Sequence, residues 1–114
     1  MKCFINQYNK YISTTTKKRI NGIRTLNENI ADNMHEPPIP DYEKYNDFKL
    51  FYISFGQTHC THTFYKYELK QIEKGIHSIE RYSVIGAISN QENFKATFLC
   101  DKATPMNPTT KCKL

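Results

Sequence analysis

The sequence lacks long hydrophobic runs, and this absence excludes several classes of protein. No window of the 114 residues approaches the about 18 apolar residues of a membrane-spanning helix, so we expect no transmembrane segment. Residues 1–7 lack the apolar core of a secretory signal, so we expect no signal peptide. We expect an ordered chain because eight tyrosines and seven phenylalanines supply aromatic mass that disordered chains lack. The length allows at most one domain with a modest core.

Closely spaced cysteine pairs are also missing. Cys3, Cys60, Cys100 and Cys112 lie too far apart for a zinc finger. Their even number favours a disulfide framework, whereas the expected absence of a signal peptide favours buried thiols, and composition leaves both open.

The net charge of +5 permits nucleic-acid binding without arguing for it. We therefore predict no nucleic-acid partner, and we interpret residues 17–19 as the solvated start of a helix.

Two segments have helical periodicity. Residues 17–34 place five apolar side chains on one stripe: Ile20, Ile23, Leu26, Ile30 and Met34. Thr16 is the candidate N-cap, and the prolines of residues 36–41 predict a loop after this helix. Residues 66–79 repeat the pattern and predict a second helix.

Other apolar segments are ambiguous. Residues 48–55 have strand propensity, but a buried helix fits them equally well. Propensity alone predicts a β-hairpin from residues 82–88 and 94–100, which flank a polar connection. Residues 104–114 contain two prolines and predict a loop.

His59-Cys60-Thr61-His62 has the composition of a metal cluster. A strand would place Cys60 and His62 on one face, and a helix would place His59 and His62 there, so neither conformation gathers three ligands. The simplest interpretation is a half-buried cysteine beside surface histidines.

Glu28 and Asp32 share one helical face, opposite the apolar stripe. They form either an ordinary solvated face or a metal-ligand glutamate with a second carboxylate that orients another ligand. His77 and Arg81 are either an electrophilic pair for a developing oxyanion or a helix-terminal histidine beside a surface cation.

Five segments, taken together, resemble one family. They are residues 21–33 (similar to NGxxTLGENIADN), 50–60 (LFFxxFAQxWC), 77–90 (HSPxxxRVxGxLxN), 94–100 (F…F.C) and 106–112 (MNPxxKCxVW). In order and spacing they resemble the M13 zinc metallopeptidases, the family of neprilysin and endothelin-converting enzyme.

The resemblance implies a mainly α fold, namely an incomplete C-terminal portion of a gluzincin-type (thermolysin-like) metallopeptidase catalytic domain. Residues 1–114 would then be a single segment with a zinc-ligand helix at 17–34, a Pro-rich loop at 35–47 and a C-terminal part at 48–114. This favours helices over strands in residues 48–60 and 82–100.

The resemblance also implies roles for individual residues. Glu28 matches the third zinc ligand, Asp32 the carboxylate that orients a zinc-binding histidine, and His77 the histidine that stabilises the tetrahedral transition state. Zinc would be the cofactor and peptides the substrates.

The family's cysteine pattern implies a disulfide between Cys3 and Cys112. It implies partners outside this chain for Cys60 and Cys100. The location would be an extracellular or cell-surface ectodomain.

Departures from the family pattern limit these implications. The sequence contains no His-Glu-x-x-His, which would provide two zinc ligands and the general base. Ser83 stands where the family has a substrate-binding arginine, and Arg81 lies two residues early. We interpret the chain as a C-terminal fragment of a neprilysin-like zinc metalloendopeptidase, inactive alone and partnered by the missing N-terminal part. The alternative is a non-catalytic peptide-binding or decoy module derived from that scaffold.

Overall fold

The computed structural model describes residues 1–33 and 48–113, and its regular structure is helical. The helices are α1 (Lys2–Tyr8), α2 (Leu26–Asp32), α3 (Phe48–Thr58), α4 (Tyr65–Lys74), α5 (Glu80–Ser89) and α6 (Glu92–Phe98). Within those residues, β-type pairing is limited to isolated bridges that join Ile12 with Arg19 and Thr104 with Asn107. The mainly α fold is therefore confirmed.

Helix α5 lies at the centre and contacts α1, α2, α3 and α6. Its buried face includes the small residues Ser83, Gly86 and Ala87, which allow neighbouring helices to approach closely. Tyr8 of α1 lies directly against Gly86. Because several sides of α5 are covered, its apolar residues are not confined to one stripe. The sequence of α5 consequently lacks helical periodicity.

The hydrophobic core joins distant parts of the chain. Its buried members are Phe4, Tyr8, Ile20, Ile72, Ile79, Tyr82 and Cys112. A disulfide joins Cys3 of α1 to Cys112, 109 positions further along. The backbone N–H of Cys112 also donates to Oδ1 of Asn90 at 2.9 Å. These contacts hold the predicted C-terminal loop against the helices.

The helix predicted over residues 17–34 is shorter in the structure, where α2 begins at Leu26. Residues 21–25 instead form a turn that packs on α1. A Cβ atom at Gly22 would lie 2.5 Å from the carbonyl oxygen of Ile5, so this approach requires glycine. Ile20 is buried but Ile23 is 69% exposed, so the predicted stripe was wrong before α2. Met34 and the predicted Pro-rich loop lie outside the described residues.

The helix predicted over residues 66–79 ends at Lys74, and Gly75 is extended. The guanidinium group of Arg24 donates to the carbonyl oxygens of Ile72, at 2.9 Å, and of Glu73. A cation at a helix C-terminus satisfies the last carbonyl groups and interacts favourably with the helix dipole. Residues 75–79 therefore leave α4 as an irregular segment, and this segment contains His77.

Strand propensity predicted the wrong structure for residues 48–55 and 82–100, which are mainly helical. The helices implied by the resemblance are confirmed. Tyr52, the buried residue of α3, packs edge-on against Phe94 of α6 with ring centroids 5.0 Å apart. Tertiary packing of this kind overrides propensity. None of the helices in the two described ranges is long and apolar enough to span a membrane.

Candidate functional site

The turn before α2 determines where Glu28 and Asp32 lie. Oδ1 of Asn21 accepts the backbone N–H groups of Ile23 and Arg24, at 3.2 and 3.0 Å. Thr25 follows as the N-cap residue, and Glu28 lies in the first helical turn. A carboxylate at this position is favoured by the positive end of the helix dipole.

Glu28 faces His77 across the gap between α2 and the 75–79 segment. Oε2 of Glu28 and Nδ1 of His77 are 3.4 Å apart, and the two side chains are 36% and 64% exposed. The structure thus brings together two predicted site residues that are 49 positions apart in the sequence. Because both side chains reach the surface, their free edges are open to another molecule or another segment.

Asp32 lies one turn after Glu28 and is half-buried. Burial raises the pKa of Asp32, and the Glu28 carboxylate raises it further. The Ser83 hydroxyl and the His59 and His77 rings oppose this increase in the pKa. Asp32 therefore lies where a neighbouring cation or N–H donor would favour its ionised form.

Two buried polar residues that the sequence analysis did not single out lie behind Glu28 and His77. Asn29 is 0% exposed and Ser78 is 2% exposed. The Ser78 hydroxyl donates to Oδ1 of Asn29 at 2.7 Å, and Nδ2 of Asn29 donates to Oγ1 of Thr25 at 2.8 Å. One sequence feature could have revealed Asn29, since it occupies a stripe position three residues after Leu26 and next to Ile30. A polar residue on an apolar stripe predicts a buried hydrogen-bond partner.

The His59-Cys60-Thr61-His62 segment follows α3. Nδ1 of His59 lies 2.8 Å from Oε2 of Glu80, and its ring packs against Phe55. The His62 ring contacts Phe64 instead, and Cys60 is exposed, so the prediction of a half-buried cysteine was wrong. The segment thus directs its two histidines to different neighbours.

Arg81 and Ser83 both belong to α5 but differ in environment. Arg81 is exposed, whereas Ser83 is buried and close to Asp32. The exposed Arg81 therefore does not occupy the buried place of Ser83, where the family pattern has its arginine. Cys60 and Cys100 are free thiols, and Cys100 is half-buried.

The described residues provide only part of the ligand set that a zinc ion requires. Across residues 1–33 and 48–113, no three His, Cys, Asp or Glu side chains converge to hold a metal ion. A catalytic zinc site uses three protein ligands and keeps an open position. The surface carboxylate of Glu28 suits one of the three, so these residues fit part of such a site.

The chain is similar in sequence to known peptidases. The profile of peptidase family M13 matches residues 1–114. Neprilysin-2 of Drosophila melanogaster is 35% identical over 99% of this chain and 17% of its own length. The endothelin-converting enzyme homolog of Locusta migratoria is 32% identical over 99% of this chain and 18% of its own length. Endothelin-converting enzyme-like 1 of Homo sapiens is 33% identical over 99% of this chain and 16% of its own length. The chain thus spans less than a fifth of the length of these relatives.

Proposed function

Because this chain belongs to peptidase family M13, we propose that it forms part of a zinc-dependent centre for peptide-bond hydrolysis. The observation that supports this most directly is the 3.4 Å approach of Glu28 Oε2 to His77 Nδ1 at the surface. In this proposal α2 is the zinc-ligand helix, and Glu28 is the zinc ligand that the chain contributes. The substrates are peptides.

Each of the three residues has a role that its environment supports. Zinc, when bound, would activate a water molecule and polarise the peptide carbonyl. Glu28 would hold the metal through its carboxylate, which reaches the surface. Asp32, half-buried one turn away, accepts a hydrogen bond from a histidine ligand and fixes its orientation. His77 donates a hydrogen bond to the oxygen that becomes negative in the tetrahedral transition state.

We further propose that the chain is inactive alone, since one carboxylate does not hold zinc tightly. The two histidine ligands and the general base would come from the N-terminal part of such an enzyme, supplied as a separate segment or chain. The Cys3–Cys112 disulfide supports an extracellular or cell-surface location, because disulfides persist in oxidising compartments.

One observation favours a second candidate, a non-catalytic peptide-binding or decoy module. Ser83 is buried against the Asp32 region, so it cannot reach a substrate in the way that a long arginine side chain would. Such a module would bind peptides without cleaving them.

The experiment combines this chain with a separately produced segment of an M13 peptidase that carries His-Glu-x-x-His. We expect no peptide cleavage and no tight zinc binding by the chain alone, and zinc-dependent cleavage after mixing. Glu28→Gln should abolish this cleavage, whereas His77→Ala should lower kcat about 100-fold to 1,000-fold. Glu73→Gln is the matched control because Glu73 is an exposed carboxylate on α4.

The outcomes separate the two candidates. Cleavage that Glu28→Gln leaves intact would contradict the zinc-ligand role. Cleavage by the chain alone would contradict its inactivity. A mixture that binds the peptide without cleaving it, with unchanged binding in Glu28→Gln, would favour the decoy module.

A further inference from the structure

A buried hydrogen bond lies immediately behind the surface contact between Glu28 and His77. The Ser78 hydroxyl donates to Oδ1 of Asn29 at 2.7 Å, and both residues are inaccessible to solvent. Asn29 follows Glu28 in the chain, and Ser78 follows His77. Helix α2 and the 75–79 segment are thus joined by two adjacent contacts, one exposed and one buried.

Each member of the buried contact is itself held by a second hydrogen bond. Nδ2 of Asn29 donates to Oγ1 of Thr25 at 2.8 Å, which ties it to the N-cap of α2. Nε2 of Gln71 donates to the carbonyl oxygen of Ser78 at 3.0 Å, which ties the 75–79 segment to α4. The Asn29 side chain and the Ser78 backbone are therefore each held by a second partner.

The exposed contact is too weak to determine its own geometry. His77 and Glu28 are both substantially exposed, and exposed ion pairs contribute little. The 75–79 segment also lacks the repeated hydrogen bonds of a helix that would otherwise fix His77. A buried donor or acceptor that loses its partner costs free energy. Breaking the buried contact is therefore more costly than breaking the exposed one.

We propose that Asn29 and Ser78 are positioning residues, whose buried hydrogen bond sets the separation between the Glu28 carboxylate and the His77 ring. Their importance for catalysis rests on the function proposed above, but the positioning itself can be measured without catalysis. A merely structural role would lower stability without changing the relative placement of Glu28 and His77 in the molecules that remain folded.

The test is an NMR measurement on the isotope-labelled 114-residue chain. The readout is the NOE between the ring protons of His77 and the side-chain protons of Glu28. We expect this cross-peak in the unmodified chain. We expect Ser78→Ala to lose it while circular dichroism and the dispersed amide spectrum show a folded chain. Ser78→Thr, which keeps the hydroxyl, should restore it.

Tyr82→Phe is the matched control. It removes a different hydrogen bond, from the Tyr82 hydroxyl to the carbonyl oxygen of Ile12, and should keep the cross-peak. A folded Ser78→Ala chain with an unchanged cross-peak would overturn the proposal, as would equal loss in Tyr82→Phe. If Ser78→Ala does not fold, Thr25→Val removes the group that accepts the Asn29 amide. Weakening of the cross-peak in that variant supports the proposal, and full retention overturns it.

The outcome is distinguishable from failure of the proposed function. If Glu28→Gln leaves cleavage by the mixed enzyme intact, the zinc-ligand role fails while the NOE result stands. If Glu28→Gln abolishes cleavage but Ser78→Ala retains the cross-peak, only the positioning role fails. Where both hold, Ser78→Ala should weaken zinc binding in the mixed enzyme by about 10-fold to 100-fold, as for other groups that orient metal ligands.

Discussion

Gly86→Ala should destabilise the chain although it replaces glycine with a better helix former inside α5. A Cβ atom at Gly86 would lie 2.4 Å from both Cζ and Oη of Tyr8 and 2.9 Å from Cε1. Tyr8 is 0% exposed and belongs to the core, so its ring is enclosed by other residues. The substitution therefore forces either the ring or the helix to shift.

The magnitude follows from two opposing contributions. Alanine gains about 1 kcal/mol over glycine in a helix interior. Overpacking of a core costs about 1–3 kcal/mol and occasionally more. Because the overlap involves two ring atoms and the hydroxyl oxygen of a rigid side chain, we expect the upper part of that range. The net loss should be about 2 kcal/mol, which corresponds to a decrease in Tm of about 8 °C for a chain of this length.

Urea and thermal unfolding followed by circular dichroism measure this loss. Gly56→Ala is the matched control, because Gly56 is also helical but a Cβ atom there would meet nothing within 4 Å. We expect Gly56→Ala to be unchanged or more stable by up to about 1 kcal/mol. A double-mutant cycle with Tyr8→Leu should show that the two core changes are not additive. If Gly86→Ala were as stable as the unmodified chain, the close packing of α1 on α5 would be refuted.

Three further predictions concern stability. Cys3→Ala opens the disulfide to Cys112 and should cost about 5 kcal/mol in the loop-entropy model, measured as a lower urea midpoint under oxidising conditions; an unchanged midpoint would contradict this. Burial raises the pKa of Tyr8 above its ordinary value of about 10, so its contribution to stability is complete below that pH and is lost as the pH rises. Tyr8→Phe should therefore reduce the alkaline loss of stability in urea titrations, and an identical pH profile would refute this. Arg24→Met removes the guanidinium donors to the end of α4 but keeps the aliphatic stem, and should lower stability by about 1–2 kcal/mol in thermal unfolding. Lys70→Met is its control, because Lys70 is an exposed cation on α4 itself.

The candidate site was partly predictable from the sequence. The spacing of Glu28 and Asp32 places them on one helical face wherever the helix begins, because that relation depends only on the helical period. His77 could be connected to them only through the resemblance. Asn29 and Ser78 were missed because a buried hydrogen bond between residues 49 positions apart leaves no periodic pattern.

The sequence by itself determined the family, the identity of the chemical groups at the site and the local relation of Glu28 to Asp32. Only the tertiary structure decided that α2 begins at Leu26 and that α4 ends at Lys74. It also decided that Glu28 faces His77. The physical reason is that these features depend on contacts between distant segments. Gly22 packs on the carbonyl of Ile5, Gly86 packs against the ring of Tyr8, and other helices cover α5 on several sides. Local propensity and periodicity carry no information about such contacts, whereas the folded chain is stabilised mainly by them.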